Sequence, residues 1–148
     1  MDSPRTAQAA SPSLLGTWEL VTFTSRQADG RIEETWGPHP AGRIVYDADG
    51  NMTALLMHER RNEGDGTGSP PELQGEFSAY FGTYRVDAAQ GIVIHQVTAS
   101  LAAARASKEL RRNFEIRDSM LILSFVRTRN GVSVTQELIW KRISPKAA

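Results

Sequence analysis

The feature that most constrains this chain is a series of short runs rich in Val, Ile, Thr and aromatic residues, separated by turn residues at short intervals. Such runs are typical of β-strands, because β-branched and aromatic side chains pack well on a pleated sheet. Three of the turns contain Asp29-Gly30, Asp49-Gly50 and Asn130-Gly131, pairs that favour the left-handed backbone of tight hairpins. The pattern therefore predicts an all-β fold built from antiparallel hairpins.

The turns divide the chain into eight or nine predicted strands. These strands cover residues 17–27, 32–36, 42–47, 52–58, 82–87, 92–98, 108–117, 120–127 and 132–143, with 32–36 the weakest. Eight strands are enough to close a barrel, which removes the exposed edges of an open sheet. We therefore predict a single antiparallel barrel of eight to nine strands over residues 14–143, between an N-terminal arm at 1–13 and a C-terminal tail at 144–148.

One segment does not follow this alternation of short strands and turns. Residues 59–68 are charged and rich in glycine, which predicts a loop. The Ser-Pro-Pro-Glu sequence at 69–72 has the form of a helix start, with a capping Ser, a Pro at the first helical position and a Glu placed for a capping box. Apolar side chains then recur at helical spacing as far as Phe77 and Tyr80. We predict a short lid helix over 70–80 that covers the mouth of the barrel.

Charge and composition exclude several classes of partner. The 17 basic and 17 acidic side chains cancel, so the chain lacks the basic excess of a nucleic-acid-binding domain. No apolar run approaches the roughly 18 residues of a membrane span, and the first dozen residues have no continuous apolar stretch like that of a signal peptide. We therefore expect a cytoplasmic protein that neither binds nucleic acid nor inserts into a membrane.

Common catalytic and cofactor motifs are missing from the sequence. It contains no cysteine, which removes disulfides, zinc thiolates and thiol nucleophiles together. His39, His58 and His95 lie far apart without the paired spacing of metal ligands. No glycine-rich phosphate loop and no nucleophile-elbow serine is present. The sequence predicts neither a metal site nor a bound cofactor.

Four phrases of the sequence, taken in order, resemble a known family. They are LLGTW at 14–18, IVYDADG at 44–50, YFGTYRVD at 80–87 and LRRNF at 110–114. Together they resemble the bacterial lipocalin-like domain family, whose members are small barrels often found as stand-alone proteins. The resemblance implies one internal cavity for a small molecule. Some barrels of this general kind serve as binding proteins and others as cofactor-free cyclases in specialised metabolism.

Strand alternation predicts which polar residues face that cavity. In the strand 108–117, Arg112 shares one face with Leu110 and Phe114, so it is the lone charge on an apolar, inward face. In the last strand, Gln136 shares the inward face with Leu138. Arg112 has two possible roles, which the sequence leaves open. It either closes one end of the barrel by stacking on Trp18 or Trp140, or it anchors an oxygen of a ligand.

Two tyrosines and a histidine are the candidate acid–base groups. Tyr46 and Tyr84 lie on inward faces, although buried tyrosines more often serve as core aromatics with a hydrogen-bonded hydroxyl. His95 lies in a strand with two apolar faces, so either His95 or Gln96 points inward, not both. The ordinary pKa of histidine lies near neutrality, which suits proton transfer.

These residues lead to one functional prediction and one alternative. We predict that the barrel binds a hydrophobic or amphipathic small molecule, and the predicted contacts are Tyr46, Phe77, Tyr84, His95, Arg112, Phe114, Gln136 and Leu138. The alternative is a cofactor-independent cyclase or isomerase that uses the same cavity, with Tyr46, Tyr84 or His95 moving a proton. A module that binds only proteins fits less well, because inward polar residues indicate a cavity. A homodimer is compatible with either function.

Overall fold

The computed structural model describes residues 13–59, 77–102 and 107–143, and these residues form nine β-strands. The strands are β1 (Gly16–Arg26), β2 (Ile32–Glu34), β3 (Ala41–Tyr46), β4 (Asn51–Met57), β5 (Phe77–Asp87), β6 (Ile92–Ser100), β7 (Glu109–Arg117), β8 (Met120–Arg129) and β9 (Val132–Arg142). No helix within these ranges is long and apolar enough to cross a membrane.

Eight of the strands form a closed antiparallel barrel. Their order is β1-β3-β4-β5-β6-β7-β8-β9, and β9 pairs back onto β1 to complete the circle. The short strand β2 pairs with the last residues of β1, where Arg26 lies opposite Ile32. The predicted all-β barrel is therefore confirmed, as eight closing strands and one extra strand.

Side-chain alternation along the strands builds the core inside the barrel. In β4 every second residue is buried, namely Met52, Ala54 and Leu56. In β1 a bulge between Leu20 and Thr22 shifts the alternation by one residue, so that Phe23 follows Leu20 on the inside. The bulge therefore keeps Trp18, Leu20 and Phe23 on the inside of the barrel.

The predicted lid helix is wrong over its last four residues. Residues 77–80 are instead the first four residues of strand β5. Tyr80 pairs with Ala54 of β4 on one side and with Ser100 of β6 on the other. Backbone hydrogen bonds to two neighbouring strands outweigh the weak preference for a helix that comes from a few apolar residues at helical spacing. The rest of the predicted helix and the loop before it, residues 60–76, lie outside the described residues.

Glycine is required at one point of β5. A bulge lies between Phe81 and Gly82, and a Cβ atom placed on Gly82 would come within 1.9 Å of the carbonyl oxygen of Gln96. No side chain fits in that space, so the close approach of β5 to β6 depends on Gly82.

One end of the barrel is closed by a tryptophan and an arginine. The Trp18 ring is fully buried and its Nε1 donates a hydrogen bond of 2.9 Å to the carbonyl oxygen of Leu14. The Arg142 guanidinium lies 4.1 Å from the centre of the Trp18 ring and donates to the carbonyl oxygens of Leu15 at 2.5 Å and Ser13 at 2.7 Å. We call Leu14, Trp18 and Arg142 the closed end.

Candidate functional site

A cavity of about 60 Å³ lies inside the barrel, away from the closed end. The residues that line it are Phe23, Trp36, Ile44, Ala54, Leu56, Ser78, Tyr80, His95, Arg112, Leu123, Phe125, Arg127, Gln136, Leu138 and Trp140. Most of this wall is apolar, and its polar groups are concentrated on β5 to β9.

Two tyrosines hold His95 between them in the wall of the cavity. The Tyr46 hydroxyl oxygen lies 2.6 Å from Nε2 of His95, and the Tyr80 hydroxyl oxygen lies 2.8 Å from Nδ1. The three residues come from β3, β5 and β6, and each lies on the inward face of its strand. His95 is only 1% exposed, whereas Gln96 is half-buried on the outer face. The structure therefore resolves which of the two residues in β6 points inward.

Burial keeps this network uncharged at neutral pH. Burial, together with the smaller effect of the nearby Arg112 guanidinium, lowers the pKa of His95 to about 3. Burial also raises the pKa of Tyr46 well above its ordinary value, helped by Tyr80, although Arg112 acts in the opposite direction. At pH 7 the His95 imidazole is therefore neutral and the Tyr46 phenol keeps its proton.

Arg112 lies beside this network with its side chain directed inward. Its guanidinium carbon is 3.7 Å from the centre of the Phe125 ring, and Nη1 donates to the carbonyl oxygen of Arg111 at 3.3 Å. The predicted stacking of Arg112 on Trp18 or Trp140 is wrong, because its guanidinium stacks on Phe125, and the cation on the face of Trp18 is Arg142. The predicted inward direction of Arg112 agrees with the half-buried side chain and with its place in the cavity wall.

A second group of buried polar side chains joins β9 to β1 at the cavity. Gln136 Nε2 donates to the hydroxyl oxygen of Ser25 at 3.1 Å, and that hydroxyl shares a 2.6 Å hydrogen bond with Thr35. Gln136 is 5% exposed, so these bonds compensate for its lost contact with water. Gln136 thus has a structural bond at its amide nitrogen while it lines the cavity.

The aromatic ring of Trp36 forms part of the mouth and is held there by its neighbours. It packs edge-on against Phe23 with ring centres 5.0 Å apart. Its carbonyl oxygen accepts a hydrogen bond from the backbone nitrogen of Glu59 at 3.1 Å, and the Glu59 carboxylate accepts one from the backbone nitrogen of His39 at 2.6 Å. The loop after β2 is therefore fastened to the end of β4.

Comparison with known families agrees with this architecture. A sequence model described as a lipocalin-like domain matches residues 15–143, which include every strand and every lining residue described above. The chain belongs to the lipocalin-like domain family. A comparison with curated proteins gives no match. A lipocalin-like barrel with an internal cavity indicates small-molecule binding in general, without naming the ligand.

Four of the residues predicted as ligand contacts meet at the cavity of this lipocalin-like domain. His95 and Arg112 come from β6 and β7, and Gln136 and Leu138 come from β9. Their inward positions follow from strand alternation, which the sequence shows well in β7 and β9. Their roles toward a ligand remain predictions.

The other four predicted contacts lie outside the cavity wall. Tyr46 lies behind His95, and Tyr84 donates from its hydroxyl to the carbonyl oxygen of Asp47 at 2.8 Å. Burial raises the pKa of Tyr84, and the Asp47 carboxylate adds to that shift. Phe114 packs against the core, and Phe77 begins β5.

Sequence reasoning missed several residues of the cavity wall, among them Tyr80, Arg127 and Trp36. Tyr80 was placed on a helix, although alternation counted backwards from Tyr84 would have put it on the inward face. Arg127 continues the inward series that runs through Phe125, a signal hidden because both faces of β8 are apolar. Trp36 lies beyond the end of β2, where no alternation is defined.

The described part of this lipocalin-like domain contains no cluster of three or more His, Cys, Asp or Glu side chains that could hold a metal ion. The cavity wall instead combines neutral hydroxyl and imidazole groups with the cations Arg112 and Arg127. Such a set of groups suits hydrogen bonding to an organic molecule better than metal coordination.

Proposed function

We propose that this lipocalin-like domain binds a small amphipathic molecule, with its polar group inside the cavity and its apolar part at the mouth. The observation that carries this proposal is a mostly apolar cavity whose wall also holds Arg112 and the hydrogen-bonded His95. Ligand sites typically combine such an apolar lining with a few polar groups that orient the ligand.

The size of the cavity supports this orientation of the ligand. Its volume is about 60 Å³. Sites that enclose a whole drug-sized ligand measure roughly 300 to 1,000 Å³. Only a small group therefore fits inside, and the remainder of a larger ligand would lie against Trp36, Leu56 and Phe125 at the mouth.

The electrostatics favour binding over acid–base catalysis. With the pKa of His95 at about 3, its protonation at pH 7 costs about 5 kcal/mol, because each pKa unit corresponds to about 1.4 kcal/mol. A general base works best with a pKa near the working pH. A cofactor-independent cyclase or isomerase in this cavity would therefore depend on holding its substrate in a reactive conformation rather than on proton uptake by His95.

Titration with the amphipathic dye 1-anilinonaphthalene-8-sulfonate tests the proposed function. We expect saturable binding to the unaltered protein and at least a tenfold loss in Leu138→Trp, because the larger ring fills the cavity. Leu55→Trp on the exposed face of β4 is the matched control, because Leu55 is 47% exposed and does not line the cavity. Native mass spectrometry of freshly purified protein would show a co-purifying ligand directly.

Leu138→Trp could fail to fold, so Ala54→Leu provides a second, smaller blocking substitution in the wall, and thermal unfolding checks both variants. Dye binding that stays unchanged in two folded blocking variants would contradict the proposed function. Dye binding lost equally in Leu55→Trp would also contradict it, since that side chain lies outside the barrel.

A further inference from the structure

The indole nitrogen of Trp140 is the one buried polar atom of the described side chains without a hydrogen-bond partner. Trp140 is 1% exposed, and its Nε1 has no acceptor among residues 13–59, 77–102 and 107–143. Native proteins pair nearly all their buried polar groups, because a donor that is removed from water and left unpaired destabilises the fold. This exception therefore needs a physical reason.

Other buried polar side chains of the barrel do have partners. Both ring nitrogens of His95 meet tyrosine hydroxyls, and Nε2 of Gln136 donates to a serine hydroxyl. At the closed end, Nε1 of Trp18 donates to a backbone carbonyl oxygen. Trp140 is as deeply buried as Trp18, but it lines the cavity and its donor is unpaired in the described part of the chain.

The neighbours of Trp140 in the sheet offer no acceptor side chain. In the strand register Trp140 lies opposite Leu20 of β1 and Leu121 of β8. Leu138 precedes it on the inward face of β9 and lines the same cavity. All three of these side chains are hydrocarbon. The acceptor that Nε1 lacks can therefore come from a molecule that enters the cavity.

These apolar neighbours narrow the chemistry of the acceptor. A water molecule or an alcohol brings hydrogen atoms that need acceptors of their own, and a buried water typically makes about three hydrogen bonds. A carboxylate brings a charge, and burying a charge beside leucines is costly unless the charge is paired. The oxygen of a ketone or aldehyde accepts hydrogen bonds, carries no net charge and brings no hydrogen. An uncharged carbonyl group therefore matches a single N–H donor among apolar side chains.

We propose that the cavity binds an uncharged amphipathic ketone or aldehyde, with Nε1 of Trp140 donating a hydrogen bond to its carbonyl oxygen. The inference rests on the proposed function and adds the chemical class of the ligand. Nε1 is covered by the surrounding side chains, so the carbonyl group displaces one of them as it enters. The apolar part of the ligand then lies against Trp36 and Phe125 at the mouth.

Three compounds that share a phenyl ring test the ligand class by competition with the dye. Acetophenone presents a ketone oxygen, benzoate presents a carboxylate, and α-methylstyrene has a CH₂ group in place of the ketone oxygen. We expect acetophenone to bind at least tenfold more tightly than benzoate to the unaltered protein. If acetophenone does not displace the dye, or if benzoate competes equally well or better, the carbonyl proposal is wrong. Saturable dye binding that Leu138→Trp blocks would still support the proposed function.

Trp140→Phe tests whether the indole N–H group makes the bond. A hydrogen bond between uncharged groups is worth about 0.5 to 1.5 kcal/mol, so acetophenone should bind about 2- to 12-fold more weakly to this variant. The loss is measured relative to α-methylstyrene, which cannot accept the bond and so reports the change in cavity volume alone. Trp18→Phe is the matched control, because the N–H group of Trp18 already has an acceptor. A ratio of the two affinities that is unchanged in Trp140→Phe, or that falls equally in Trp18→Phe, would overturn the proposal.

NMR of the indole N–H groups observes the bond in the unaltered protein, so the test holds even if Trp140→Phe does not fold. Each of the three tryptophans gives one indole N–H signal, which is assigned through its contacts with neighbouring side chains. We expect saturating acetophenone to shift the indole proton of Trp140 downfield, as a new hydrogen bond does, and to leave that of Trp18 in place. α-Methylstyrene should not produce the downfield shift. A Trp140 signal that stays in place while acetophenone displaces the dye would contradict the proposal, because the carbonyl oxygen would then bind elsewhere.

Discussion

The two inward tryptophans of this barrel are equally buried, but they differ in the hydrogen bonding of their indole nitrogens. Trp18 at the closed end and Trp140 in the cavity wall are 0% and 1% exposed. Nε1 of Trp18 donates to the carbonyl oxygen of Leu14, whereas Nε1 of Trp140 has no partner in the described part of the chain. One end thus satisfies its own polar groups, and the other keeps a donor that a second molecule can use.

Two inward arginines repeat this difference. Arg142 covers the face of Trp18 and donates two short hydrogen bonds to the carbonyl oxygens of Ser13 and Leu15, so it joins the segment before β1 to β9. Arg112 covers Phe125 beside the cavity, where its guanidinium also faces the space proposed for the ligand. We therefore expect the closed end to contribute mainly to stability, and the cavity end to be where the proposed ligand binds.

Replacing each arginine by methionine should give the largest difference in stability between the two ends of the barrel. Arg142→Met removes two charge-assisted hydrogen bonds and a cation–π contact, so we expect a loss of about 3 kcal/mol in the free energy of unfolding. Arg112→Met should change it by less than about 1 kcal/mol, since an apolar side chain of similar volume suits a half-buried site. Chemical denaturation of both variants measures this difference. Equal losses would show that Arg112 stabilises the barrel through its contact with Phe125.

Lowering the pH should weaken the cavity end through His95. Its pKa of about 3 in the folded state lies below the ordinary value of about 6.5, so the unfolded chain takes up a proton first as the pH falls. The stabilisation is complete above about pH 6.5 and is lost progressively toward pH 3. Between pH 6.5 and 5 we expect a loss of about 2 kcal/mol that His95→Gln does not show.

The measurement is the difference in the pH dependence of unfolding between the unaltered protein and His95→Gln, which cancels the carboxyl groups that both share. His39→Gln, at an exposed position, controls for the loss of a histidine. Parallel curves for the unaltered protein and His95→Gln would mean that His95 titrates in the folded protein as it does in the unfolded chain.

The smallest effect that we expect is the difference in stability between Trp18→Phe and Trp140→Phe. Trp18→Phe and Trp140→Phe remove similar ring volume, but only the first breaks a hydrogen bond and uncovers an acceptor at Leu14. We expect Trp18→Phe to reduce the free energy of unfolding by about 1 kcal/mol more than Trp140→Phe does. Thermal and chemical unfolding without added ligand provide the values. A larger loss in Trp140→Phe would indicate that its indole nitrogen already has a partner.

Strand alternation predicted more of the site than residue type did. In β7 and β9 the charged and apolar residues alternate cleanly, and there the inward faces of Arg112 and Gln136 agree with the structure. In β6 both faces are apolar, so the sequence left His95 and Gln96 undecided. At the start of β5 a local helical pattern misled the prediction, because the backbone partners that make it a strand are distant in sequence.

By itself, the sequence determined the all-β class, the hairpin turns and most strand positions, since these follow from local preferences and a period of two residues. The tertiary structure decided which groups meet in the cavity. Tyr46, Tyr80 and His95 are separated by up to 49 positions, yet their hydrogen bonds depend on distances of less than 3 Å. The same holds for the two arginines, because closure of the barrel between β1 and β9 gives Arg142, and not Arg112, the face of Trp18.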